Sequence, residues 1–498
     1  RELRKAVEID PEFAVAHLHL SDAYNRLGNQ KAGDEEVRLA KLHAAKATER
    51  ERLMIDAKYA RQVEGDLDRS ISVLKDLVAW YPQDKRAHFD VALAYAQKGV
   101  PTEAVASYQR ALDLDPNYGL ALNGIAFVYL DLGKPDLAIQ CLEKYAALSP
   151  ADPNPVDSLA DLKYRLGRLD EAAASYRRAI AIAPDFGSDL QLAALMALEE
   201  DYQAALGWAD SAIQHATAET RKSDGYALRA IFFQLTGRPD AARSALRQCH
   251  DIMARAETES GADVLRGWID YDNGQWAESR KAFRDARDAL QKQAPVESLL
   301  KVTYDTFLAA VDQAEGTSRP KLEQFQWVLS GVQPSATRTF PLVVHFSQAQ
   351  QFCLELSVRR LRAAALATEG KVDEAIALLT PAWPGPIPIW YFDALMAYYL
   401  PLAQDHLARL YVQKKDWDRA IAEYKMLTVI GPEHRNRRLI HPIYHYRLAQ
   451  VYEKKGMKAE AVTEYERFVK LWERATPGRS ELEDARKRLA NLKRERGM

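Results

Sequence analysis

Small and apolar residues return along this chain at a spacing too long for a strand or for one amphipathic helix. Gly99, Gly133 and Gly167 stand 34 residues apart. The same company surrounds each of them: Ala92, Ala126 and Ala160 seven residues before, Ala104, Ala138 and Ala172 five after, and Pro116, Pro150 and Pro184 seventeen after. Twelve after come Ala111, Tyr145 and Ala179, so the middle repeat departs there and carries its alanine one place later, at Ala146. Tyr95, Tyr108, Tyr129, Leu142 and Tyr176 fill the intervals. A fixed period of this length predicts a two-helix unit that stacks on copies of itself, because one unit cannot bury its apolar face alone. The glycine closes the first helix (helix A), where a left-handed residue costs least. The alanines let antiparallel helices approach closely, and the proline, lacking an N–H, ends the second helix (helix B). Asp185, following Pro184, is expected to start the next helix.

The register extends in both directions. Gly65, Gly28, Gly237, Gly274, Gly370 and Gly456 take the same place, so nine of the 23 glycines share one position, more than random placement would produce. Another residue replaces glycine near Glu200 and at Lys415. The predicted repeats are 14–50, 51–84, 85–118, 119–152, 153–185, 186–222, 223–259, 260–295, 356–400, 401–441 and 442–475. Ala6 and Pro11 form the tail of a half repeat, so the chain is expected to open in mid-repeat as part of a longer protein. Three regions follow: an N-terminal array at 1–295, a degenerate helical segment at 296–355, and C-terminal repeats with a capping helix at 356–498. The cap is predicted over Ser480–Lys493, with Leu482, Ala485, Leu489 and Leu492 on one stripe.

The 34-residue period and its Gly, Ala and Pro offsets resemble the tetratricopeptide-repeat (TPR) family. That resemblance implies an all-α solenoid, a right-handed superhelix of antiparallel helix pairs whose A helices line a concave, protein-binding wall. Two stretches resemble something narrower. They are Ala47–Tyr59 with Gly65-Asp-Leu-Asp68 and Trp80–Asp84, and His441–Ala449 through Phe468–Trp472 to Glu481–Leu489. Both are similar to TPR regions linked to serine/threonine kinase or winged-helix domains in bacterial signalling proteins. The resemblance implies a regulatory or sensory region of such a protein, or the non-catalytic part of a kinase. It carries over no catalytic residue.

Composition narrows the function classes. At 498 residues the chain exceeds a single core, which stops growing at roughly 250–300 residues. A formal charge of -2 gives no global field to attract nucleic acid. An RNA-binding helical repeat is therefore disfavoured. Cys141, Cys249 and Cys353 are too scattered for a disulfide framework or a zinc site and suit a reducing compartment. A cytoplasmic location is expected, unless a membrane span precedes Arg1. There is no run of 18 apolar residues.

No phosphate-binding, dinucleotide, zinc-protease or nucleophile-elbow motif occurs, so no enzyme activity, metal or cofactor is expected of this chain. Asp113-Leu-Asp-Pro-Asn117 imitates a calcium loop, but Tyr118 and Gly124 occupy its required Gly and Glu positions. His441 and His445 are four apart without a third ligand, which favours packing over metal, and Cys249-His250 also falls at a packing position. Arg435, Arg437 and Arg438 form a basic cluster, read as solvated charge with an acidic partner patch as the alternative. The segment 381–392, with four prolines, is a connector or a partner-binding insert.

The concave positions of the repeat are its second, fifth, ninth, twelfth and thirteenth. They give Tyr59, Phe89, Asn123, Phe127, Asp161, Tyr164 and Arg165 in the first half. The second half gives Trp268, Tyr271, His406, Arg409, Tyr446, Arg447 and Gln450. Aromatic anchors, arginines for carboxylates and an asparagine for peptide amides suit a protein or peptide partner. Packing against the next repeat is the alternative role for each. The Lys/Asn/Arg clamp of chaperone-binding TPR domains is not matched, since the first-half wall has one asparagine and no lysine.

Overall fold

The structure is a computed structural model that describes residues 2–26, 29–255, 262–291, 299–316, 358–380, 405–429 and 439–495. Gly28, Pro432, Cys353, residues 317–355, the 381–392 segment and the Arg435–Arg438 cluster lie outside the described residues.

Every regular element among the described residues is helical, and the helices come in pairs. Lys85–Lys98 pairs with Pro101–Leu114, Gly119–Asp131 with Pro135–Leu148, and Pro153–Arg165 with Leu169–Ile182. The turn between partners is the one the glycines predict. Gly65, Gly99, Gly133, Gly167, Gly237, Gly274, Gly370 and Gly456 all lie at φ between 69° and 82°. Glu200 and Lys415, where glycine is replaced, hold the same left-handed conformation at φ 60° and 59°. After each glycine the next N–H reaches back to close the helix: Val100 N to Tyr95 O at 3.0 Å, Lys134 N to Tyr129 O at 2.8 Å.

Helix B ends at Trp80, Leu114, Leu148 and Ile182, each two residues before its proline. Asp84 and Asp152 then cap the next helix, accepting from the backbone N–H of Arg86 and Asn154. Asp185 does not do this. The chain turns beyond it, and the helix begins at Ser188 with Gly187 at the capping position. Cys249 is buried, whereas its neighbour His250 is half exposed. The repeat alanines are packed as the close approach requires, with Ala92, Ala104 and Ala111 fully buried beside Tyr108 and Ile125.

The described chain forms two compact units, one ending at Phe186 and one beginning at Gly187. In the first unit, a π turn over Ala60–Glu64 extends the A helix Glu49–Tyr59. In the second, Ser480–Glu495 buries Leu482, Ala485 and Leu492 in a cluster with Phe468 and Trp472. That arrangement supplies the cap a terminal repeat needs.

Tyr145, the residue that breaks the alanine rule, is accommodated by a compensating absence. Its ring lies over Gly119 on the facing helix, where an added Cβ would overlap ring carbons. Its hydroxyl donates to Asp152 Oδ2 at 3.0 Å. Gly119→Ala is expected to cost about 1–3 kcal/mol by overpacking. In a Tyr145→Ala background the same change should cost less than about 0.5 kcal/mol, since the alanine then faces an alanine. Urea unfolding of the two singles and the double decides this; equal costs in both backgrounds would show that the ring does not set the requirement.

Candidate functional site

In the first unit the A helices carry the side chains that the repeat phase assigns to the wall. Phe89 is half-buried, its ring 5.8 Å from Tyr108 and 5.7 Å from Tyr118, with the Arg86 guanidinium 5.5 Å above it. One helix on, Asn123 and Phe127 stand a turn apart, and the Arg165 guanidinium of the following helix lies 5.4 Å from the Phe127 ring. Arg165 also reaches Asp131 at 3.8 Å. Asp161 accepts from Tyr176 Oη at 2.6 Å, and burial pushes its carboxyl up, against the pull of that hydrogen bond and of Arg165. Tyr164 is half-buried on the same helix, as is Tyr59 two repeats before Asn123. The amide oxygen of Asn123 is buried and has no hydrogen-bond partner. Such an atom ordinarily has one.

An ionic hollow lies earlier in this unit. Asp22, Lys58, Arg61, Arg86 and Asp90, from three successive A helices, border it together. Lys58 is buried, and its ammonium bonds Asp22 at 2.6 Å and Leu18 O at 3.2 Å. Burial lowers the Lys58 pKa against the pull of Asp22. The Arg86 Nε sits 3.0 Å from both oxygens of Asp90. Asp22 and Arg86 fall on the ninth and second positions of their repeats, whereas Lys58, Arg61 and Asp90 each lie one place off a wall position, so the pattern does not bring the five together.

In the second unit Tyr271, His406, Arg409 and Arg447 meet around one cavity of about 580 Å³. Trp268 and Tyr446 do not border it. Trp268 is fully buried among Tyr271, Phe283 and Phe307, with ring centroids 5.4, 5.0 and 4.7 Å away. Tyr446 donates to Asp484 on the capping helix at 2.8 Å. The cavity is edged by Arg360, Arg409, Arg447 and Arg479 against the carboxylates of Asp272, Asp405 and Glu481.

What gives this cavity its far side is a return of the chain. The repeats at 439–479 fold back onto those at 200–273. Trp472 Nε1 donates to Leu235 O at 2.8 Å, Tyr202 Oη to Ile440 O at 2.5 Å and Arg479 Nη1 to Asn273 Oδ1 at 2.9 Å. Gly237 lies under the Trp472 ring, and its carbonyl accepts from Thr476 N at 3.0 Å. At the centre of the contact Glu200, the left-handed residue, receives His445 Nε2 at 2.8 Å and the Arg467 guanidinium. His445 Nδ1 meets Glu464 at 2.6 Å.

Stacked antiparallel helix pairs closed by left-handed turns define an α-helical repeat protein of the interaction-scaffold kind. Family models described as tetratricopeptide repeat match residues 59–119, 95–162, 158–186 and 445–472, so the chain carries TPR repeats over those residues. It is 28% identical over 148 residues to a cellulose synthase operon protein C of Pseudomonas fluorescens (strain SBW25). That match takes in 30% of this chain and spans only 12% of the relative's length. Similar solved structures include a thermophilic TPR protein of Thermus thermophilus, at 25% identity and TM-score 0.33, covering 37% of this chain and 98% of that one. A tetratricopeptide repeat protein from Parabacteroides merdae ATCC 43184 has 16% identity and TM-score 0.34, covering 48% of this chain and 93% of that one. TPR folds are typically non-catalytic and bind proteins or peptides. No helix among the described residues is long and apolar enough to cross a membrane.

The Glu200–His445–Glu464 contact has a defined pH dependence. With a carboxylate at each ring nitrogen, His445 is held as the imidazolium. Burial opposes the charge, but the hydrogen bonds to Glu200 and Glu464 outweigh it and keep the pKa above the ordinary 6.5. Because the folded pKa is the higher one, this stabilisation is complete below about pH 6.5 and is lost as pH rises through the folded value. Urea midpoints should therefore fall with rising pH above about 6.5 more steeply in the wild type than in His445→Gln. Identical slopes in the two proteins would rule out a charged His445.

Proposed function

We propose that the chain is a scaffold that binds an extended segment of a protein partner along the A-helix wall of its first unit. One observation carries this: the buried amide oxygen of Asn123 lacks a hydrogen-bond partner between aromatic groups on neighbouring A helices. Leaving a polar atom buried and unpaired costs about 1–3 kcal/mol. A bound peptide N–H would satisfy it, while Phe89, Phe127 and Tyr164 supply flat apolar surface on either side. Arg165, stacked on Phe127, adds a cation beside the same track.

The wider role that fits such a wall is the regulatory or sensory region of a larger bacterial signalling protein. The support is the resemblance of residues 47–84 and 441–489 to kinase-linked and winged-helix-linked repeats. The non-catalytic part of a serine/threonine kinase is the alternative within the same reading.

Peptides selected on the intact chain from a displayed library test the wall. Asn123→Ala should not lower the thermal midpoint, because it removes a buried group that is costly to leave unpaired, and Phe127→Ala should leave helicity unchanged. Each should weaken the selected peptides by about tenfold, the worth of one hydrogen bond or one aromatic anchor. Selected peptides that bind both variants as tightly as the wild type would place the binding surface elsewhere.

A further inference from the structure

The cavity of the second unit contains more positive charge and more hydrogen-bond donors than the described residues use. Asp405 is wholly buried and two guanidiniums flank its carboxylate: Arg447 Nη1 donates to Oδ2 at 2.5 Å, while Arg409 Nε stands 3.3 Å from Oδ1 as an ion pair without a hydrogen bond. Tyr424 Oη donates to it as well, at 3.1 Å. One negative charge thus stands against two positive ones. A guanidinium has five N–H donors, and among the described residues neither arginine makes another ion pair. Both side chains keep about a third to a half of their surface open, at 35% for Arg447 and 48% for Arg409. Across the cavity, Arg479 has a buried Nε without a hydrogen-bond partner, the Glu481 carboxylate standing off at 3.7 Å.

The local field has the same sign. His406 is pushed down to about 4, by burial first and then by Arg409. His441 is pushed down to about 3, by burial first and then by Arg447. Both rings are neutral at neutral pH and still offer an N–H. The excess of one guanidinium over the Asp405 carboxylate matches one negative charge on a ligand; a phosphate dianion would overshoot it. At about 580 Å³ the cavity has the size of a small-molecule pocket and is too short for a long extended peptide.

We propose that this cavity binds a compact monocarboxylate, either a small organic acid or the C-terminal residue of a peptide. Arg409 and Arg447 take the carboxylate, and Tyr271, Trp276 and Tyr444 pack against its body. The site is independent of the partner wall in the first unit. Its residues come from separate repeats brought together by the return of the C-terminal helices, so an occupant ties those repeats together and stabilises the closed arrangement by mass action.

The test uses the intact chain and four probes followed by calorimetry and ligand-observed NMR: phenylacetate, acetyl-Gly-Phe with a free carboxylate, the same peptide amidated, and inorganic phosphate. At least one free-carboxylate probe should bind, raise the thermal midpoint, and weaken about tenfold or more in Arg409→Gln. Arg409→Lys, which keeps the charge, should retain part of the affinity, and circular dichroism should show both variants folded. Phenylacetate binding alone identifies a small acid as the source; peptide binding alone identifies a chain terminus. The proposal is overturned if neither carboxylate probe binds, if the amide binds as well as the acid, if phosphate binds more tightly than both, or if Arg409→Gln binds unchanged.

Discussion

A two-helix repeat cannot cover both of its apolar faces, so each pair depends on the next, and the helices must come close enough for that cover to be dry. Close approach is the constraint from which the other features follow. It requires alanine at the crossing points, such as Ala92, Ala104 and Ala111, and it allows a large ring only where the facing residue gives way. Tyr145 over Gly119 and Tyr108 over Gly124 are two solutions of that kind. It also requires a tight reversal between partners, which is why one left-handed residue recurs from pair to pair and why Glu200 and Lys415 take up that conformation without being glycine.

Holding a side chain in the left-handed region costs roughly 1–2 kcal/mol. At Glu200 something is gained that glycine could not supply. Its carboxylate meets His445 and Arg467 from the far end of the second unit and anchors the return of the chain. A buried group of this kind adds little net stability, but removing one partner leaves the others charged and uncompensated. It therefore specifies where the C-terminal repeats rest. Trp472, buried against Leu235 and Gly237, provides the apolar part of the same contact.

The two candidate sites differ in how the fold makes them. The wall of the first unit is a consequence of stacking, since equivalent faces of successive A helices come into line. Its specific content is an unpaired amide between aromatic groups. The cavity of the second unit exists because distant repeats meet, and its content is an arginine pair sharing one buried carboxylate. The first suits an extended partner and the second a compact one.

The periodic sequence by itself determined the helix pairs, their turns, the capping helix and the phase of the wall, because each depends on residues within one or two repeats of one another. Phe89, Asn123, Phe127, Tyr271 and Arg409 could be named from phase alone. Phase could not separate Trp268, which fills the core, from Tyr271, which borders the cavity, because the difference lies in what the neighbouring repeat brings. Nor could it find the ionic hollow as a whole, because Lys58 and Asp90 each lie one place off a wall position although Asp22 lies on one. The largest gap is Glu200 with His445, separated by 245 residues. Local pattern marked Glu200 as odd, a non-glycine at a glycine position, but only the tertiary return of the chain supplied its partners. A repeat pattern encodes nearest-neighbour contacts, and a contact between repeats far apart in sequence depends on the accumulated angles of every unit between them.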